Sequence, residues 1–502
     1  MNILLVYPEY PNTFWSFKHA LKFVARKAAH PPLGLLTVAS MLPEDWNLKL
    51  VDMNVRKLRT RDITRADYVF LSAMDVQRES AKDVIRRCND HGTKVVAGGP
   101  LFTTAHEDFE GVDHFVLNEA EATLKPFIND LQAGNARPVY TSSEYPDISA
   151  TPVPSWNLIK MKDYSSMSIQ YSRGCPFDCE FCDIVLLNGR IPRTKSPQQI
   201  LAELDSLYEM GWRGAVFIVD DNFIGNRHKL KSEILPKMIE WMKARRNPFS
   251  LTTEASIDVS DDEELMDKMI LAGFTSLFVG IETTSEESLT ECGKMQNKNR
   301  DIIGSVRKLQ NKGFQVSGGF IVGFDSDTPS IFDNLISFIQ DSGIVTAMVG
   351  LLTAPTGTRL YKRLMKENRL SSKFSGNNTD ISTNFIPKMD YATLVDGYMK
   401  VVTSIYSPKH FYKRAKTFLR NYSPQIQTGL RLKFEHLAAF VKSVFILGIK
   451  EKGRSYYWRL ITWTLFRRPR LFPLSIELAI YGFHFRKSFD SLSEGRSAPQ
   501  TG

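Results

Sequence analysis

The stretch Tyr171–Cys182 reads YSRGCPFDCEFC and carries three cysteines, Cys175, Cys179 and Cys182, in the spacing CxxxCxxC. Thiolates this close together on one loop can hold three corners of a [4Fe–4S] cluster. The sequence has no fourth cysteine nearby, so the remaining iron is left open to bind a group other than protein. The stretch therefore predicts an iron–sulfur loop with one exchangeable site.

A structural zinc site is the main alternative for these cysteines. Zinc sites of that kind are closed by four ligands, usually as cysteine pairs or as a cysteine–histidine set. The nearest histidines, His114 and His228, belong to no pair with ligand spacing. A disulfide framework does not fit either, because the five cysteines of the chain cannot all pair and three of them are clustered. The spacing favours the iron–sulfur interpretation over both.

The composition is that of a globular protein with several domains. The 502 residues are 43% hydrophobic and 24% charged, which is enough for roughly three or four domains. Five cysteines in so long a chain are typical of a reducing cytoplasm. The first residues read as a strand and not as a signal peptide, and no apolar stretch reaches the roughly 18 residues of a membrane span. We expect a cytoplasmic protein.

Short apolar runs alternate with helical patterns over residues 1–143. The strand candidates are Ile3–Tyr7, Leu48–Asp52, Tyr68–Ser72, Lys94–Ala97 and His114–Leu117. This alternation predicts a doubly wound, Rossmann-like α/β domain, whose ligand binds beyond the C-terminal ends of the strands. The sequence contains no GxGxxG and no P-loop, so it does not support dinucleotide or triphosphate binding. The candidate contacts follow these strands and are Ser72, Met74, Gly98, Gly99, Asn118 and Glu119.

A proline-containing linker over residues 144–165 leads into a second series of strands and helices over residues 166–374. The strand candidates are Met167–Tyr171, Ala215–Val219, Ser250–Ala255, Ser276–Ile281, Gln315–Val322 and Thr346–Leu352. Six such units predict a partial, TIM-like (β/α)6 barrel. Functional residues of barrels collect at the C-terminal ends of the strands, and the cysteine loop follows the first of them.

The cysteine spacing and its place after the first barrel strand resemble the radical S-adenosylmethionine (SAM) superfamily. In that superfamily SAM chelates the open iron, and an electron from the cluster cleaves it to methionine and a 5′-deoxyadenosyl radical. The resemblance implies a polar edge that receives the SAM amino group, acids for its ammonium or ribose, and a backbone and an aromatic ring beside its adenine. The residues in these roles are Asp220, Asp221, Glu254, Glu282, Gly319, Gly323 and Phe181.

A Rossmann-like domain placed before such a barrel resembles the cobalamin-dependent radical SAM methylases. The segments that carry this resemblance are Ile3–Pro8, Pro31–Leu35 and Ala97–Pro100. It implies that the first domain binds cobalamin. The common cobalamin signature DxHxxG is altered, because Asn54 stands where the cobalt-binding histidine would be. We therefore expect no cobalt ligand from this motif, and we interpret His30 as a solvated loop histidine.

The region over residues 375–490 is predicted to be mainly helical, with a disordered tail over residues 491–502. Of the chain's 64 Lys/Arg and 55 Asp/Glu residues, 18 and 5 lie in residues 401–502. Basic helices rich in Trp, Tyr and Phe suit a membrane interface, and a solvated helical cap over the active site is an equal alternative. Nucleic-acid binding is disfavoured, because the basic residues are interleaved with Leu, Ile and Trp.

The closest resemblance is to the group of cobalamin-dependent radical SAM enzymes that includes the bacterial hopanoid methylases. It implies methyl transfer from methylcobalamin to an unactivated carbon, with a reducing partner such as flavodoxin or ferredoxin. The basic C-terminal region suggests a lipid or isoprenoid substrate and peripheral contact with the inner face of the membrane. The alternatives are a non-methylating rearrangement, cyclisation or oxidation, and a non-enzymatic sensor. A methylthiotransferase is disfavoured, because Cys88 and Cys292 cannot supply the ligands of a second cluster.

Overall fold

The computed structural model describes residues 1–373, 375–377, 379–425 and 434–496, without the side chains of residues 434–435 and 491–496. Two parallel β-sheets are followed by a group of helices. This order confirms the predicted α/β architecture with a mainly helical C-terminal region.

The N-terminal unit is a six-stranded parallel sheet with helices on both faces. Its strands are β1 (Asn2–Tyr7), β2 (Asn47–Asp52), β3 (Tyr68–Ser72), β4 (Lys94–Gly98), β5 (His114–Val116) and β6 (Val139–Tyr140), in the spatial order β2-β1-β3-β4-β5-β6. Its helices are α1 (Lys18–Val24), α2 (Leu33–Ser40), α3 (Thr60–Ile63), α4 (Arg78–Asn89), α5 (Pro100–Ala105) and α6 (Ala120–Gln132). Four consecutive residues of β1 are buried, as expected where helices cover both faces of a sheet.

The central unit is a second parallel sheet that does not close on itself. Its strands are β7 (Ser166–Ile169), β10 (Ala215–Ile218), β11 (Ser250–Glu254), β12 (Phe274–Glu282), β13 (Gln315–Val322) and β14 (Ala347–Leu351), paired in that order. Between the first two of them, β8 (Ser172–Arg173) and β9 (Arg193–Thr194) form a short hairpin around the cysteine loop. The helices are α7 (Ile184–Asn188), α8 (Pro197–Glu209), α9 (Arg227–Lys229), α10 (Leu235–Ala244), α11 (Glu263–Leu271), α12 (Glu286–Glu291), α13 (Ile302–Lys312), α14 (Ser330–Ser342) and α15 (Arg359–Lys366).

The C-terminal unit packs helices against both sheets. Its helices are α16 (Tyr391–Tyr406), α17 (Pro408–Asn421), α18 (Phe434–Ser443), α19 (Arg454–Arg467) and α20 (Phe472–Arg496), and a π-helical segment, Val444–Lys450, continues α18. Helix α20 runs six residues into the segment predicted to be disordered, and residues 497–502 lie outside the described part of the chain. None of the described helices is long and apolar enough to cross a bilayer.

The N-terminal unit adds backbone to the free edge of the barrel sheet. The N–H groups of Lys27 and Ala28 donate to the Asp163 carbonyl at 2.8 and 3.2 Å, and the Ser166 N–H donates to the Ala29 carbonyl at 3.0 Å. This segment therefore runs beside β7 in parallel register. It satisfies edge groups that would otherwise be open to another strand, and it joins the N-terminal unit to the edge of the barrel sheet.

Candidate active site

Two adjacent aspartates after β10 hold the start of the cysteine loop. Asp220 accepts hydrogen bonds from the backbone N–H groups of Tyr171 and Ser172, both at 2.8 Å, and from the Ser172 hydroxyl at 2.6 Å. Asp221 accepts from the backbone N–H of Gly174 at 3.0 Å. Asp220 is 1% exposed, and burial raises its pKa to about 7. The Asp220 carboxylate thus holds the backbone of the cysteine loop, and its contact with SAM stays a prediction.

Further contacts fix the loop along its length. Gly174 has a φ of 96°, and an added Cβ there would lie 3.0 Å from three carbonyl oxygens, so only glycine fits this turn. The Glu180 N–H donates to the Cys292 carbonyl at 2.8 Å, and the Leu360 N–H donates to the Glu180 carbonyl at 2.9 Å. Arg363 also donates to the Glu180 carboxylate at 2.8 and 3.1 Å. The loop that carries the cysteines is therefore held in place by its surroundings.

The three cysteines of this loop are free thiols, with Cys179 buried and Cys175 and Cys182 half-buried. Burial raises the pKa of each. Among the described residues, no three His, Cys, Asp or Glu side chains converge closely enough to hold a single metal ion. A [4Fe–4S] cluster takes each thiolate on a different iron, so its ligands need not converge on one point, and thiolate is the donor it selects. The loop fits a cluster held at three corners.

An ion pair that the sequence did not suggest lies beside the cysteines. Glu282 ends β12 with a φ of 69°, a conformation that costs a non-glycine residue about 1 kcal/mol. Its carboxylate accepts from the Lys294 ammonium at 2.8 Å. Burial alone would lower the pKa of Lys294, but Glu282 and the Cys179 thiolate raise it. Lys294 is thus a fixed positive charge between the predicted SAM acid and the cluster loop.

Glu254, at the end of β11, is a half-buried acid surrounded by like charges. Burial, followed by the carboxylates of Asp221, Asp220 and Glu282, raises its pKa to about 8, and only Lys294 opposes this rise. A carboxyl group in this setting is ready to ionise when a cation arrives beside it. Its role toward SAM stays a prediction, and this environment suits it.

The predicted adenine neighbours are Phe181 on the cysteine loop, Gly319 within β13 and Gly323 directly after that strand. The Phe181 and Phe324 rings are 6.3 Å apart within a small apolar cluster. An added Cβ at Gly319 would lie 2.9 Å from the Phe278 ring, and Gly323 has a φ of 105°. Both glycines are therefore required by the packing and the turn of the protein itself, and their contact with adenine stays a prediction.

The candidate cobalamin residues meet at the C-terminal edge of β3, β4 and β5, which are neighbours in the sheet. Gly99 has a φ of 89°, and an added Cβ would lie 2.4 Å from the Ser72 hydroxyl oxygen. An added Cβ at Gly98 would lie 2.6 Å from the Val116 carbonyl oxygen. The packing of the sheet therefore requires glycine at both positions. Met74 is 44% exposed and remains accessible at this edge.

Asn54, which stands where a cobalt-binding histidine would be, is engaged within the protein. Its amide donates to the Pro8 carbonyl at 3.1 Å and to the Asp52 carboxylate at 2.8 Å, and its oxygen accepts from the Tyr10 N–H at 3.0 Å. Asp52 also accepts from the buried Tyr164 hydroxyl at 3.0 Å. Asp52 and Asn54 of the altered motif therefore form part of a hydrogen-bond network within the protein.

A buried charge cluster joins the cobalamin-side unit to the cysteine hairpin. Arg173 donates to Glu119 at 2.5 Å and to Glu121 at 2.8 and 2.9 Å, and Arg193 donates to Glu119 at 2.6 and 3.0 Å. All four side chains are at most 16% exposed. Arginines bind both oxygens of Glu119, so its side chain is part of this cluster of four residues, which we call the clamp. The side chain of the neighbouring Asn118 accepts a hydrogen bond from the Thr141 hydroxyl at 2.7 Å.

Half-buried apolar side chains line the interior of the open barrel. Phe217, Phe278 and Met348 occupy positions on β10, β12 and β14 that remain partly accessible. Trp15, 38% exposed, approaches from the N-terminal unit, with its ring 5.3 Å from the Phe278 ring and its indole N–H 3.1 Å from the Met348 sulfur. The His30 ring lies 5.3 Å from the Phe217 ring. We call these five residues the apolar chamber.

The expectation that His30 is a solvated loop residue is wrong. Burial lowers its pKa to about 4, so the imidazole is neutral at pH 7. Its Nδ1 is buried and has no hydrogen-bond partner among the described residues. The pairing of the preceding residues 27–29 with the barrel edge draws it inward. His30 therefore adds one unsatisfied polar atom to an otherwise apolar wall.

Three protein families match consecutive parts of the chain. Residues 23–128 match the B12 binding domain, residues 169–339 match the radical SAM superfamily, and residues 358–498 match a domain of unknown function, DUF4070. The first two matches cover the central strands of the N-terminal and barrel sheets, and the third covers the C-terminal helices.

Similar proteins extend over nearly the whole chain. An uncharacterized methyltransferase of Synechocystis sp. is 39% identical over 97% of this chain and 91% of its own length. The hopanoid C-2 methylase of Rhodopseudomonas palustris is 33% identical over 93% of this chain and 89% of its own length. The structure of the radical SAM methyltransferase TsrM from Kitasatospora setae, with cobalamin and a [4Fe–4S] cluster bound, superposes with a TM-score of 0.64 at 13% identity, over 98% of this chain and 99% of that one.

Three observations agree: the identity to two methyltransferases over most of their length, the order of the matched regions, and the free cysteine triad of the barrel loop. The cofactors of the protein are accordingly a [4Fe–4S] cluster, SAM and cobalamin. The chain belongs to the cobalamin-dependent radical SAM methyltransferases that carry a C-terminal DUF4070 domain.

Proposed function

We propose that this methyltransferase methylates an unactivated carbon of a lipid or isoprenoid substrate held in the apolar chamber. The observation that carries the proposal is the chamber itself, where Trp15, Phe217, Phe278 and Met348 offer accessible apolar surface inside the barrel. Apolar pockets with few polar groups select hydrocarbon ligands. The similarity to a hopanoid C-2 methylase points to the same substrate class.

The cofactors, when bound, supply the substrate radical and the methyl group, and the chain's own residues supply position and shelter. Cys175, Cys179 and Cys182 would hold the cluster, and the acids Glu254 and Glu282 would orient SAM above it. The chamber would hold the substrate away from water, which protects a radical from side reactions. His30, neutral and unsatisfied, would accept or donate one hydrogen bond to the single polar group of such a substrate.

The test compares lipid extracts from a host that carries either the intact protein or its Cys179→Ala variant, grown without oxygen and with cobalamin. We expect a lipid one methylene heavier only with the intact protein. Equal lipid profiles, in cells where the intact protein still cleaves SAM, would remove the lipid substrate from the proposal. A new lipid of unchanged mass would instead indicate a rearrangement, and a lipid that has lost hydrogen would indicate cyclisation or oxidation.

The raised pKa of Glu254 predicts how the affinity for SAM depends on pH. The carboxyl group has a pKa of about 8, and it would have to ionise to attract the positively charged SAM. Binding should therefore strengthen about tenfold per pH unit between pH 6 and pH 7.5 and level off above pH 8. Equilibrium dialysis of SAM against the protein with its cluster measures this, and Glu254→Gln should flatten the dependence.

The matched control for this prediction is Glu287→Gln, since Glu287 is a fully exposed acid outside the barrel mouth. Its pH dependence should equal that of the intact protein. A dependence that persists unchanged in Glu254→Gln would show that another group governs SAM binding.

We expect the substitution Trp15→Ala to weaken substrate binding without impairing folding. The ring contributes apolar surface to the chamber, so its loss should raise the substrate KM by about tenfold or more. Because Trp15 is 38% exposed, the melting temperature should change little. Steady-state methylation with detergent-solubilised substrate measures KM, and Leu271→Ala, 43% exposed on the outside of the barrel, is the control. Equal KM values for the two variants would contradict the chamber.

A further inference from the structure

The surface of α18 and its π-helical continuation carries a row of exposed apolar side chains. Leu437, Val441, Phe445 and Ile449 are 57%, 59%, 51% and 54% exposed. Isolated exposed apolar residues are common on protein surfaces, but a contiguous row usually marks an interaction site. We call these four residues, together with Trp458 beside them, the apolar stripe.

The helix geometry keeps the row on one face. In an α-helix every fourth residue drifts by about 40° around the axis. The segment Val444–Lys450 is π-helical, and its wider turns offset that drift before Ile449 is reached. The opposite face packs inward, because Ser443 and Leu447 are 0% and 1% exposed. The stripe is thus the solvent side of a helix whose other side is anchored in the fold.

Cations border the stripe at its C-terminal end. The Lys450 ammonium lies 4.4 Å above the Phe445 ring, and Arg454 donates to the Ile449 carbonyl at 3.3 Å. The acid between them, Glu451, is paired with Arg486 at 3.0 Å, so it does not offset their charge. The border of the stripe is therefore positively charged.

Trp458 closes the stripe with a ring that has one polar edge. Its indole N–H donates to the Gly448 carbonyl at 2.9 Å, and the side chain is 39% exposed. An added Cβ at Gly448 would lie 3.0 Å from this ring, so the glycine permits the contact. An accessible tryptophan beside cations and aliphatic side chains is typical of a bilayer interface.

We propose that the apolar stripe docks this enzyme on the surface of an anionic lipid bilayer. The stripe would enter the boundary between headgroups and acyl chains, and Lys450 and Arg454 would lie among the anionic headgroups. The charge of the region fits this partner, since residues 401–502 hold 18 Lys/Arg against 5 Asp/Glu. Docking does not require the lipid substrate proposed above, although it would place the enzyme where such a substrate is found.

The experiment is co-sedimentation of the full-length protein with vesicles of phosphatidylglycerol and phosphatidylethanolamine, and separately with phosphatidylcholine vesicles. We expect binding to the anionic vesicles that weakens as salt is raised. The double variant Phe445→Ser/Ile449→Ser should bind them at least about tenfold more weakly. Lys450→Gln/Arg454→Gln should lose about 25-fold on anionic vesicles and little on neutral ones.

The control variant is Met210→Ser/Leu271→Ser, which changes two side chains that are 47% and 43% exposed on the barrel surface. It should bind like the intact protein, and all variants should keep the circular dichroism spectrum and the rate of SAM cleavage. Absence of vesicle binding by the intact protein, or equal binding by all variants, would overturn the proposal. So would a dimer of the intact protein in light scattering that the stripe variant converts to a monomer, because the stripe would then be a contact between copies.

These outcomes are separable from those of the proposed function. An intact protein that ignores vesicles but adds a methyl group to lipid in detergent would refute the docking and leave the substrate standing. An intact protein that binds vesicles through the stripe but methylates no lipid would refute the lipid substrate and leave the docking standing.

Discussion

Replacing Cys179 by alanine is expected to abolish SAM cleavage while leaving the fold intact. Cys179 is the middle cysteine of the triad and is 8% exposed, and its loss leaves the cluster with two thiolates on a loop that supplies three. Turnover should fall by about 10⁴-fold or more, to the background rate. Iron and sulfide per chain, the electron paramagnetic resonance of the reduced protein and the rate of SAM cleavage measure the effect.

The control is Cys292→Ala, which removes another buried thiol close to the loop. Burial raises the pKa of Cys292 to about 12, and its Sγ donates to the Leu289 carbonyl at 3.7 Å, so it is an inert thiol. This variant should keep its iron and its activity. If Cys292→Ala lost the cluster as completely as Cys179→Ala, ligation by the CxxxCxxC triad alone would be refuted.

Arg173→Met is expected to destabilise the protein more than any exposed charge change. It removes the guanidinium that joins Glu119 to Glu121. Glu119 keeps Arg193 as its partner, but the largely buried carboxylate of Glu121 loses its cation. Breaking a buried ion pair from one side costs about 3–5 kcal/mol. Urea unfolding followed by circular dichroism should show the barrel and the N-terminal unit melting at a clearly lower denaturant concentration.

The matched control is Arg86→Met, the same substitution in a 66% exposed arginine that pairs with Asp83. An exposed pair contributes about 0–1 kcal/mol, so its midpoint should barely move. Adding Glu121→Gln to Arg173→Met should restore part of the stability, because Glu119 stays paired with Arg193 and no carboxylate of the cluster is then left without a cation. Similar midpoints for Arg173→Met and Arg86→Met would mean that the clamp contributes no net stability.

Acid should weaken the same clamp. Burial alone would raise the pKa of Glu121, but the hydrogen bonds and charge of Arg173 lower it from 4.5 to about 2. A carboxylate with a lowered pKa stabilises the fold above its unfolded value and loses that contribution as pH falls from 4.5 toward 2. The loss amounts to about 3 kcal/mol, and it should be absent from a pH titration of unfolding in Glu121→Gln.

The cysteine loop could be predicted from sequence because its ligands lie within one short stretch. The two sheets could also be predicted, since buried parallel strands leave apolar runs such as Ile3–Tyr7. The strand β6 escapes prediction because two residues carry no periodicity. The part that Asp220 and Asp221 play in holding the cysteine loop could not be predicted, because their partners Tyr171 and Gly174 lie 49 and 47 residues earlier in the chain.

Contacts between units lay beyond what the sequence alone could give. Arg173 and Glu121 are 52 residues apart, and only the docking of two units brings them together. Within the barrel, the pairing of Lys294 with Glu282, 12 residues earlier, also carried no signal in the sequence. Trp15 joined the chamber for the same reason, since the barrel interior is completed by a residue from outside the barrel.

The contact between α20 and Phe14 also affects when Phe14 can reach its folded position during synthesis. Phe14 stacks on Phe485 of α20 with ring centroids 4.1 Å apart, and His484 contacts the Phe14 carbonyl at 2.9 Å. During synthesis the N-terminal unit leaves the ribosome first, with this aromatic contact still missing. Phe14 therefore reaches its packed position only after translation has passed residue 485. A variant truncated before α20 should therefore expose Phe14, which Phe485 would otherwise cover.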